Sequence, residues 1–164
     1  MDDFILDQQV SACFRKTDGT YRLTPVNYTE DWDLNARRNE AGKIISALQA
    51  GGAAFAAVEG DSVIGFACVL PGRFGSRGQY LDLAALYVSK PFRRRGLGRA
   101  LFERACRAAK DAGGEKIYVS AHSAEESIAA YKKYGCVFAE EPDPAHIENE
   151  PFDLQLEYDL SSYL

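Results

Sequence analysis

Apolar and polar positions along the first half of the chain predict two hairpins around a helical segment. Two β-prone runs flank Asp18-Gly19, a dipeptide that favours a tight hairpin turn. The stretch from Trp32 to Ala50 is rich in helix formers, and Gly51-Gly52 follows it as at a helix end. Two further apolar runs, AAFAAVEG and SVIGFACVL, meet at the polar turn Glu59 to Ser62. The first half is therefore predicted to be strand, strand, one or two helices, strand, strand.

The middle of the chain has the pattern of a strand, a helix and a second strand. Tyr80 to Val88 is apolar at nearly every position, which predicts a strand covered on both faces. From Gly96 onward apolar residues recur every three or four positions, the stripe of a helix on a sheet, until Gly113-Gly114 ends it. The segment EKIYVSA then alternates as a strand. A connection of this length predicts a right-handed crossover, with the two strands as parallel neighbours.

The last third predicts one more helix and one more strand. Ser123 and Glu126 have the spacing of a capping box, and the helix that they open runs through Tyr134 to Gly135. Apolar residues alternate with acidic and amide residues from Phe152 to Leu160, which predicts an antiparallel strand with one solvated face. The chain has no repeat or linker. We therefore predict a mixed α/β fold in one domain, residues 1–164.

Composition and charge exclude several classes of protein. A hydrophobic content of 46% and a charged content of 26% are ordinary for a globular protein and argue against disorder. The net charge of −5 argues against non-specific nucleic-acid binding and slightly favours cationic partners. The four cysteines are widely spaced, and the two histidines lie 24 residues apart, so no metal site is predicted.

The sequence gives no sign of secretion or membrane insertion. The start, MDDFILDQQV, is acidic where a secretory signal needs a basic region. No run of about 18 apolar residues is present to cross a bilayer. We therefore expect a cytoplasmic protein that binds neither membrane nor nucleic acid.

The loop before the central helix has the composition of an anion site. Amide groups at a helix start lack intrahelical acceptors, and the helix dipole favours negative charge there. Gly96 and Gly98 allow a ligand close to the main chain. A Walker loop is excluded because no Gly-Lys-Ser/Thr follows, and the third glycine of a dinucleotide turn is absent. Guanidinium donors suited to a pyrophosphate come from Arg93, Arg94, Arg95 and Arg99.

Two motifs resemble those of the GNAT family of N-acetyltransferases. Arg93-Arg94-Arg95-Gly96-Leu97-Gly98 matches the family's acetyl-CoA signature, Arg/Gln-x-x-Gly-x-Gly/Ala, and SIAAYKKYGCVF is similar to its A-x-x-x-Y-x-x-x-G-F segment. The resemblance implies a central mixed, mostly antiparallel sheet with two splayed parallel strands and flanking helices. It also implies acetyl-CoA as cosubstrate, with no metal. By motif position the cofactor-binding residues would be Leu86, Tyr87, Val88, Arg93, Arg94, Arg95, Gly96, Leu97, Gly98 and Arg99.

The resemblance implies an acid more clearly than a base. Tyr131 occupies the family's tyrosine position and would protonate the leaving thiolate, because a phenol with a pKa near 10 keeps its proton at neutral pH. Ala84, followed by Ala85, stands where many members have an acidic residue. Asp82 lies on the same strand face as Ala84 and could act as the base through water, although a solvated strand-end carboxylate is the alternative.

The two histidines and one departure from the family pattern leave further alternatives. His122 has a pKa range suited to proton transfer, or it is simply a polar residue at a strand end. His146 lies in the acidic, Pro-rich segment EEPDPAHIENEP, which we interpret as a solvated surface or as a wall of the acceptor site, with the surface favoured. Ala124 replaces a frequent asparagine, so Ser123 or His122 would make its cofactor contacts.

The resulting functional prediction is an acetyl-CoA-dependent N-acetyltransferase. Its acceptor would be a primary amine on a small cationic metabolite, a polyamine or an antibiotic. One alternative is a non-catalytic acyl-CoA-binding or sensing module, and another is acetylation of protein N-termini or lysines. The sequence leaves open the acceptor, the base, the roles of residues 1–50 and 139–151 and the oligomeric state, a homodimer included.

Overall fold

The computed structural model describes residues 1–163, which form eight strands and four α-helices. In chain order these are β1 (Gln8–Thr17), β2 (Thr20–Glu30), α1 (Leu34–Gln49), β3 (Ala53–Glu59), β4 (Ser62–Val69), β5 (Tyr80–Val88), α2 (Leu97–Asp111), β6 (Lys116–Ala121), α3 (Glu125–Tyr134), β7 (Val137–Phe138), α4 (Pro144–Asn149) and β8 (Leu154–Asp159). A short 3-10 turn, Lys90–Phe92, joins β5 to α2. None of the helices within residues 1–163 has the length and apolarity to cross a membrane.

The strands form one large mixed sheet and one separate hairpin. The order in the six-stranded sheet is β3-β4-β5-β6-β8-β7. Adjacent strands in this sheet are antiparallel, except that β5 and β6 are parallel and are joined by α2. The first two strands pair only with each other. The predicted mixed α/β fold and the parallel crossover are confirmed.

Helices cover both faces of the large sheet. The face under α2 and α3 holds the larger apolar core, which includes the buried stripe of α2 and the side chains Leu83, Ile117, Val119 and Leu156 of the central strands. The opposite face carries a smaller cluster under α1, with Phe4, Phe66, Cys68 and Ala85 at its centre. The central strands β5 and β6 lie between these two cores, at the middle of the sheet.

A β-bulge interrupts the central strand β5. Cys68 on β4 pairs with Ala85, whereas Val69, the next residue, pairs with Leu83. Ala84 is therefore an extra residue on β5, and its side chain is exposed between two buried neighbours. A bulge of this kind bends its strand and redirects the side chains around it.

The two parallel strands separate just before this bulge. They are paired at three positions only, from Tyr80 opposite Lys116 to Asp82 opposite Tyr118. Beyond Asp82 the rest of β5 pairs with β4 alone. An opening therefore lies between β5 and β6, as the family resemblance implies.

Two local predictions are wrong. Ser123 does not cap α3, because the helix begins at Glu125 and its cap residue, Ala124, makes no side-chain hydrogen bond. Instead, the Ser123 hydroxyl accepts a hydrogen bond of 2.7 Å from Arg15. The predicted solvated face of β8 is also covered, since Gln155 is 7% and Glu157 is 3% exposed.

These buried polar residues of β8 belong to a hydrogen-bonded network beneath the opening. Glu157 accepts hydrogen bonds from Lys116 at 2.6 Å and from the Tyr80 hydroxyl at 2.5 Å. The Tyr118 hydroxyl donates to Gln155. Tyr80, Lys116 and Tyr118 all belong to the three paired positions of β5 and β6, so the network stabilises the point from which these strands diverge.

Candidate active site

The opening between β5 and β6 contains a cavity of about 210 Å³. Its walls come from β5, the start of α2, the end of β6, α3 and the N-terminal hairpin. The residues that matter most for its chemistry are Leu86, Val88, Gly98, His122, Tyr131 and Tyr134.

Main-chain groups on one edge of β5 face this cavity. The Ser89 amide donates to the Ile64 carbonyl at 2.8 Å, and successive residues of a strand turn their amide groups to alternate sides. The main-chain groups of Leu86 and Val88 therefore point away from β4, into the opening. Those of Tyr87 face β4, and its ring packs below the sheet against Trp32. Of the three β5 residues that the resemblance implies for cofactor binding, Leu86 and Val88 thus direct main-chain groups toward the cavity.

The loop between β5 and α2 has an unusual backbone. Arg94 has a φ of 63° and Gly96 a φ of 81°, so both residues are in the left-handed region. The Ala100 amide donates to the Gly96 carbonyl as the first hydrogen bond of the helix. The amides of Leu97, Gly98 and Arg99 precede it and have no acceptor within the helix. This end of the opening therefore presents free N–H groups and a positive dipole, as an anion site requires.

The arginines of this loop have different roles. The Arg93 guanidinium donates through Nε to the Val88 carbonyl at 2.9 Å and through Nη2 to the Leu6 carbonyl, so it faces the main chain instead of the expected phosphate position. Arg94 and Arg99 have exposed side chains, and Arg99 forms an ion pair of 3.0 Å with Glu103. Burial lowers the pKa of Arg93, whose role is to fix the end of β5.

Two tyrosines of α3 line the same cavity. Burial raises the pKa of Tyr131, and its hydroxyl makes no hydrogen bond within residues 1–163. A Cβ atom at Gly98 would lie 2.7 Å from the Tyr134 hydroxyl, so that hydroxyl lies directly against the start of α2. The sequence identified Tyr134 only as the last residue of its predicted helix.

His122 contacts the N-terminal hairpin. The sequence predicted this hairpin from its turn but left its functional role open. Its Nδ1 atom accepts from the Ala124 amide at 3.1 Å, so the proton of the neutral ring is on Nε2. Nε2 lies 3.3 Å from the Tyr28 hydroxyl and 3.4 Å from a Glu30 oxygen. The hairpin therefore closes one side of the opening through Glu30 and Gln8.

A second cavity, of about 480 Å³, meets the first at the bulge. The two share Leu83, Ala84, Ala85, Tyr87 and Ser120. Four acidic side chains line the second cavity, and they face one lysine, Lys43, and one histidine. The acidic residues are Glu40, Asp82, Glu150 and Asp153.

Asp82 lies in this second cavity and contacts the acidic segment that follows β7. Its Oδ2 atom is 2.8 Å from Nε2 of His146, and its side chain is 15% exposed. Burial raises the pKa of Asp82. His146 and Asn149 of α4 line this cavity, so the segment contributes to its wall and is not only the solvated surface that we favoured from the sequence.

The sequence matches one protein-family model, described as the acetyltransferase (GNAT) family, over residues 12–136. No curated protein matches it. The matched range contains the whole of the first motif, Arg93 to Gly98, and the second motif from Ser127 to Cys136.

Solved structures share the fold. A nourseothricin acetyltransferase superposes with a TM-score of 0.71 at 19% identity, covering 97% of this chain and 90% of its own. A putative streptothricin acetyltransferase from Bacillus anthracis str. Ames, in complex with acetyl coenzyme A, gives 0.67 at 17% identity, covering 96% and 86%. An aminoglycoside 6'-N-acetyltransferase complexed with coenzyme A gives 0.58 at 17% identity, covering 77% and 82%. At these identities the likeness concerns the fold alone.

Proposed function

From the premise that this chain belongs to the GNAT family and is an acetyl-CoA-dependent acetyltransferase, we propose that it acetylates a primary amine of a small cationic molecule. The observation that carries the proposal is the acidic cavity that meets the splayed opening at Ala84. An acyl donor in one cavity and an ammonium-bearing acceptor in the other would meet at the bulge of β5.

The donor is proposed to lie along the opening, with its diphosphate on the loop before α2. The free amides from Leu97 to Arg99 and the left-handed backbone at Arg94 and Gly96 support this placement. Gly98 fits it as well, because a side chain there would collide with Tyr134 and occupy the cradle. The pantetheine arm would hydrogen-bond main-chain groups of Leu86 and Val88.

The reaction requires a neutral amine, a polarised carbonyl and a proton for the leaving thiolate. Because an alkyl ammonium has a pKa near 10.4, a base must first remove one proton, and we assign this step to Asp82. The amine nitrogen then bonds to the thioester carbon, the C–S bond breaks, and the second amine proton replaces the one that Tyr131 gives to the thiolate. The Leu86 amide is the proposed donor to the developing oxyanion, because it faces the opening and lies nearer Ala84 than the Val88 amide. The proton on Asp82 leaves to solvent.

The raised pKa values of the two groups suit these roles. A phenol whose pKa is raised by burial is protonated at neutral pH, so Tyr131 carries a proton in the cavity where the thiolate would form. A carboxylate whose pKa is raised is a stronger base than an exposed one, which supports Asp82 as the proton acceptor.

The acceptor class follows from charge complementarity. Carboxylates that converge on one cavity attract ammonium groups and exclude anionic substrates. Structures with the same fold are named for nourseothricin, streptothricin and aminoglycoside acetylation, so antibiotics with amino groups are the first acceptors to test. Polyamines follow, and protein lysines or N-termini are the alternative within the same chemistry.

The test is release of coenzyme A thiol from acetyl-CoA over a panel of amines. We expect turnover with polycationic amines above the amine-free rate, and none with anionic or neutral analogues of the same size. Binding of acetyl-CoA without turnover on any amine would contradict the proposal and favour an acyl-CoA sensor, the alternative that Ala84 suggests. Turnover on peptides alone would favour a protein acetyltransferase.

A further inference from the structure

Two carboxylates and one imidazole form a continuous hydrogen-bonded chain that ends in the acceptor cavity. Its members are Asp143, His146 and Asp82. Nε2 of His146 lies 2.8 Å from Oδ2 of Asp82, and Nδ1 of the same ring lies 2.5 Å from Oδ2 of Asp143. The second carboxylate oxygen of Asp82, Oδ1, makes no hydrogen bond within residues 1–163 and is not sealed from the cavity. The chain therefore leaves one carboxylate oxygen free on the side where the acceptor would bind.

The imidazole is held firmly in this position. Asp143 caps α4 by accepting from the His146 amide at 3.1 Å, and its own amide donates to the Tyr118 hydroxyl at 2.8 Å. The ring of His146 stacks on Phe74 at 5.7 Å and contacts the Tyr118 ring at 5.0 Å. Tyr118 belongs to β6, and Phe74 lies in the loop before β5, where it pairs with Tyr80. Packing as well as charge therefore fixes the orientation of His146.

The hydrogen bonds determine the charge on the ring. An ionised carboxylate only accepts, so His146 can donate to Asp82 and Asp143 together only as an imidazolium. Burial opposes that charge, but the hydrogen bonds that the ring donates to the two carboxylates outweigh it and raise the pKa of His146. Burial raises the pKa of Asp82, and the hydrogen bond from His146 offsets part of this rise.

Other charged and titratable groups face this chain from the surrounding elements. They are Glu40 and Lys43 on α1, Cys68 on β4, Tyr118 on β6, Glu150 after α4 and Asp153 before β8. Three of the six are carboxylates and one is a lysine, so their net charge is negative and favours the imidazolium over a charged Asp82. His146 is thus the cation that opposes the protonation of Asp82 directly.

We infer that His146 is a positioning residue for acetyl transfer: its imidazolium orients the Asp82 carboxylate toward the acceptor amine at Ala84 and keeps that carboxylate ionised. This inference rests on the proposed function. Burial of a carboxylate in an acidic site without a hydrogen-bonded cation raises its pKa, and a protonated carboxyl group cannot accept the ammonium proton. The methyl side chain of Ala84 leaves room for the amine to reach Asp82, which lies two residues earlier.

Proton balance follows from this arrangement. The ammonium gives one proton to Oδ1 of Asp82, while His146 remains protonated and hydrogen-bonded to Oδ2. Attack and collapse then proceed as proposed above, and Asp82 returns its proton to solvent. His146 is neither consumed nor deprotonated, so its effect is on the pH at which Asp82 can work.

The test is the pH dependence of kcat/KM for acetylation of a polycationic amine by the wild type, His146→Gln and Glu148→Gln. Activity requires ionised Asp82, so it is present above the pKa of Asp82 and lost as pH falls through it. Without the imidazolium this acid limb should move to higher pH, and kcat/KM at pH 7 should fall about 100-fold, the lower end of a general base's contribution. Glu148, exposed on the same short helix, loses a charge without contact to the cavity, and its variant should retain the wild-type profile.

A uniform loss of activity in His146→Gln with an unmoved acid limb would overturn the inference. Absence of wild-type turnover would instead contradict the proposed function, so the two failures are distinguishable. If His146→Gln does not fold, imidazole NMR titration of the wild type and Asp143→Asn decides, since the chain has only two histidines. We expect the pKa of His146 to fall in Asp143→Asn, and an unchanged pKa of His146 would overturn the inference.

Discussion

Replacement of Lys116 by methionine should test the network that stabilises the base of the opening. Lys116 Nζ lies 2.6 Å from Glu157, whose side chain is only 4% exposed, and 2.8 Å from the exposed Glu140. Methionine keeps most of the apolar stem and removes the charge. Glu157 would then be a buried carboxylate whose remaining donors are the Tyr80 hydroxyl and the Glu140 amide.

The expected loss is large because one partner of a buried ion pair is removed. Breaking such a pair costs about 3–5 kcal/mol, and the two remaining hydrogen bonds to Glu157 place the expected loss near the lower value. A domain of this size loses about 2–4 °C of melting temperature per kcal/mol, so a fall of about 6–12 °C is expected. The exposed pair Arg77–Glu115, with an N–O distance of 3.1 Å, provides the matched control. Arg77→Met should cost less than about 1 kcal/mol.

Urea unfolding followed by circular dichroism at several pH values would measure these losses. In the wild type, burial raises the pKa of Glu157 but the Lys116 and Tyr80 hydrogen bonds outweigh it, so the pKa is lowered. Glu157 therefore contributes stability above its unfolded pKa of about 4.5, and this contribution is lost as pH falls through the lower folded value. In Lys116→Met only the Tyr80 and Glu140 hydrogen bonds still oppose burial, so the pKa of Glu157 rises and the deficit should shrink on acidification.

Two results would refute this reasoning. One is a loss no larger than that of Arg77→Met. The other is a loss that the second substitution Glu157→Gln, in the Lys116→Met background, does not reduce, since glutamine still accepts from Tyr80 without a buried charge.

The remaining predictions concern the two cavities. Gly98→Glu should abolish the stabilisation by acetyl-CoA in a thermal-shift assay, which is about 2.7 kcal/mol at 100 times the dissociation constant. Gly42→Glu, where a side chain meets open space, should retain this stabilisation. Equal shifts in the two variants would place the diphosphate elsewhere. Tyr131→Phe should bind acetyl-CoA normally and lower kcat about 100-fold, and an unchanged kcat in stopped-flow assays would remove its acid role. Glu150→Gln should raise KM for a polycationic amine several-fold without changing acetyl-CoA affinity, because it removes one carboxylate from the acceptor cavity; an unchanged KM would exclude Glu150 from acceptor binding.

The elements with local signals were predictable from the sequence. The strand β5, the glycine turn before α2 and the helix α3 with its terminal Gly135 have local sequence signals, and they lie where expected apart from the start of α3. The hairpin around Asp18-Gly19 is likewise set by its turn. The first cavity follows from these elements because β5 and α3 both line it.

Features that depend on distant residues were not predictable in this way. The polar face of β8 alternates as a solvated strand would, but a segment around Glu140 and the paired strand residue Lys116 cover it. The contact between Asp82 and His146 joins residues 64 positions apart. Arg93 resembles its neighbours in sequence, and only the fold shows that main-chain carbonyls occupy its donors.

A crystal structure of the protein with acetyl-CoA tests the central claim most directly. The account predicts the diphosphate within hydrogen-bond distance of amides between Arg94 and Arg99, and the thioester carbonyl between β5 and β6, near Ala84. Electron density for the adenosine diphosphate outside the loop that joins β5 to α2, with the opening filled by water, would contradict it.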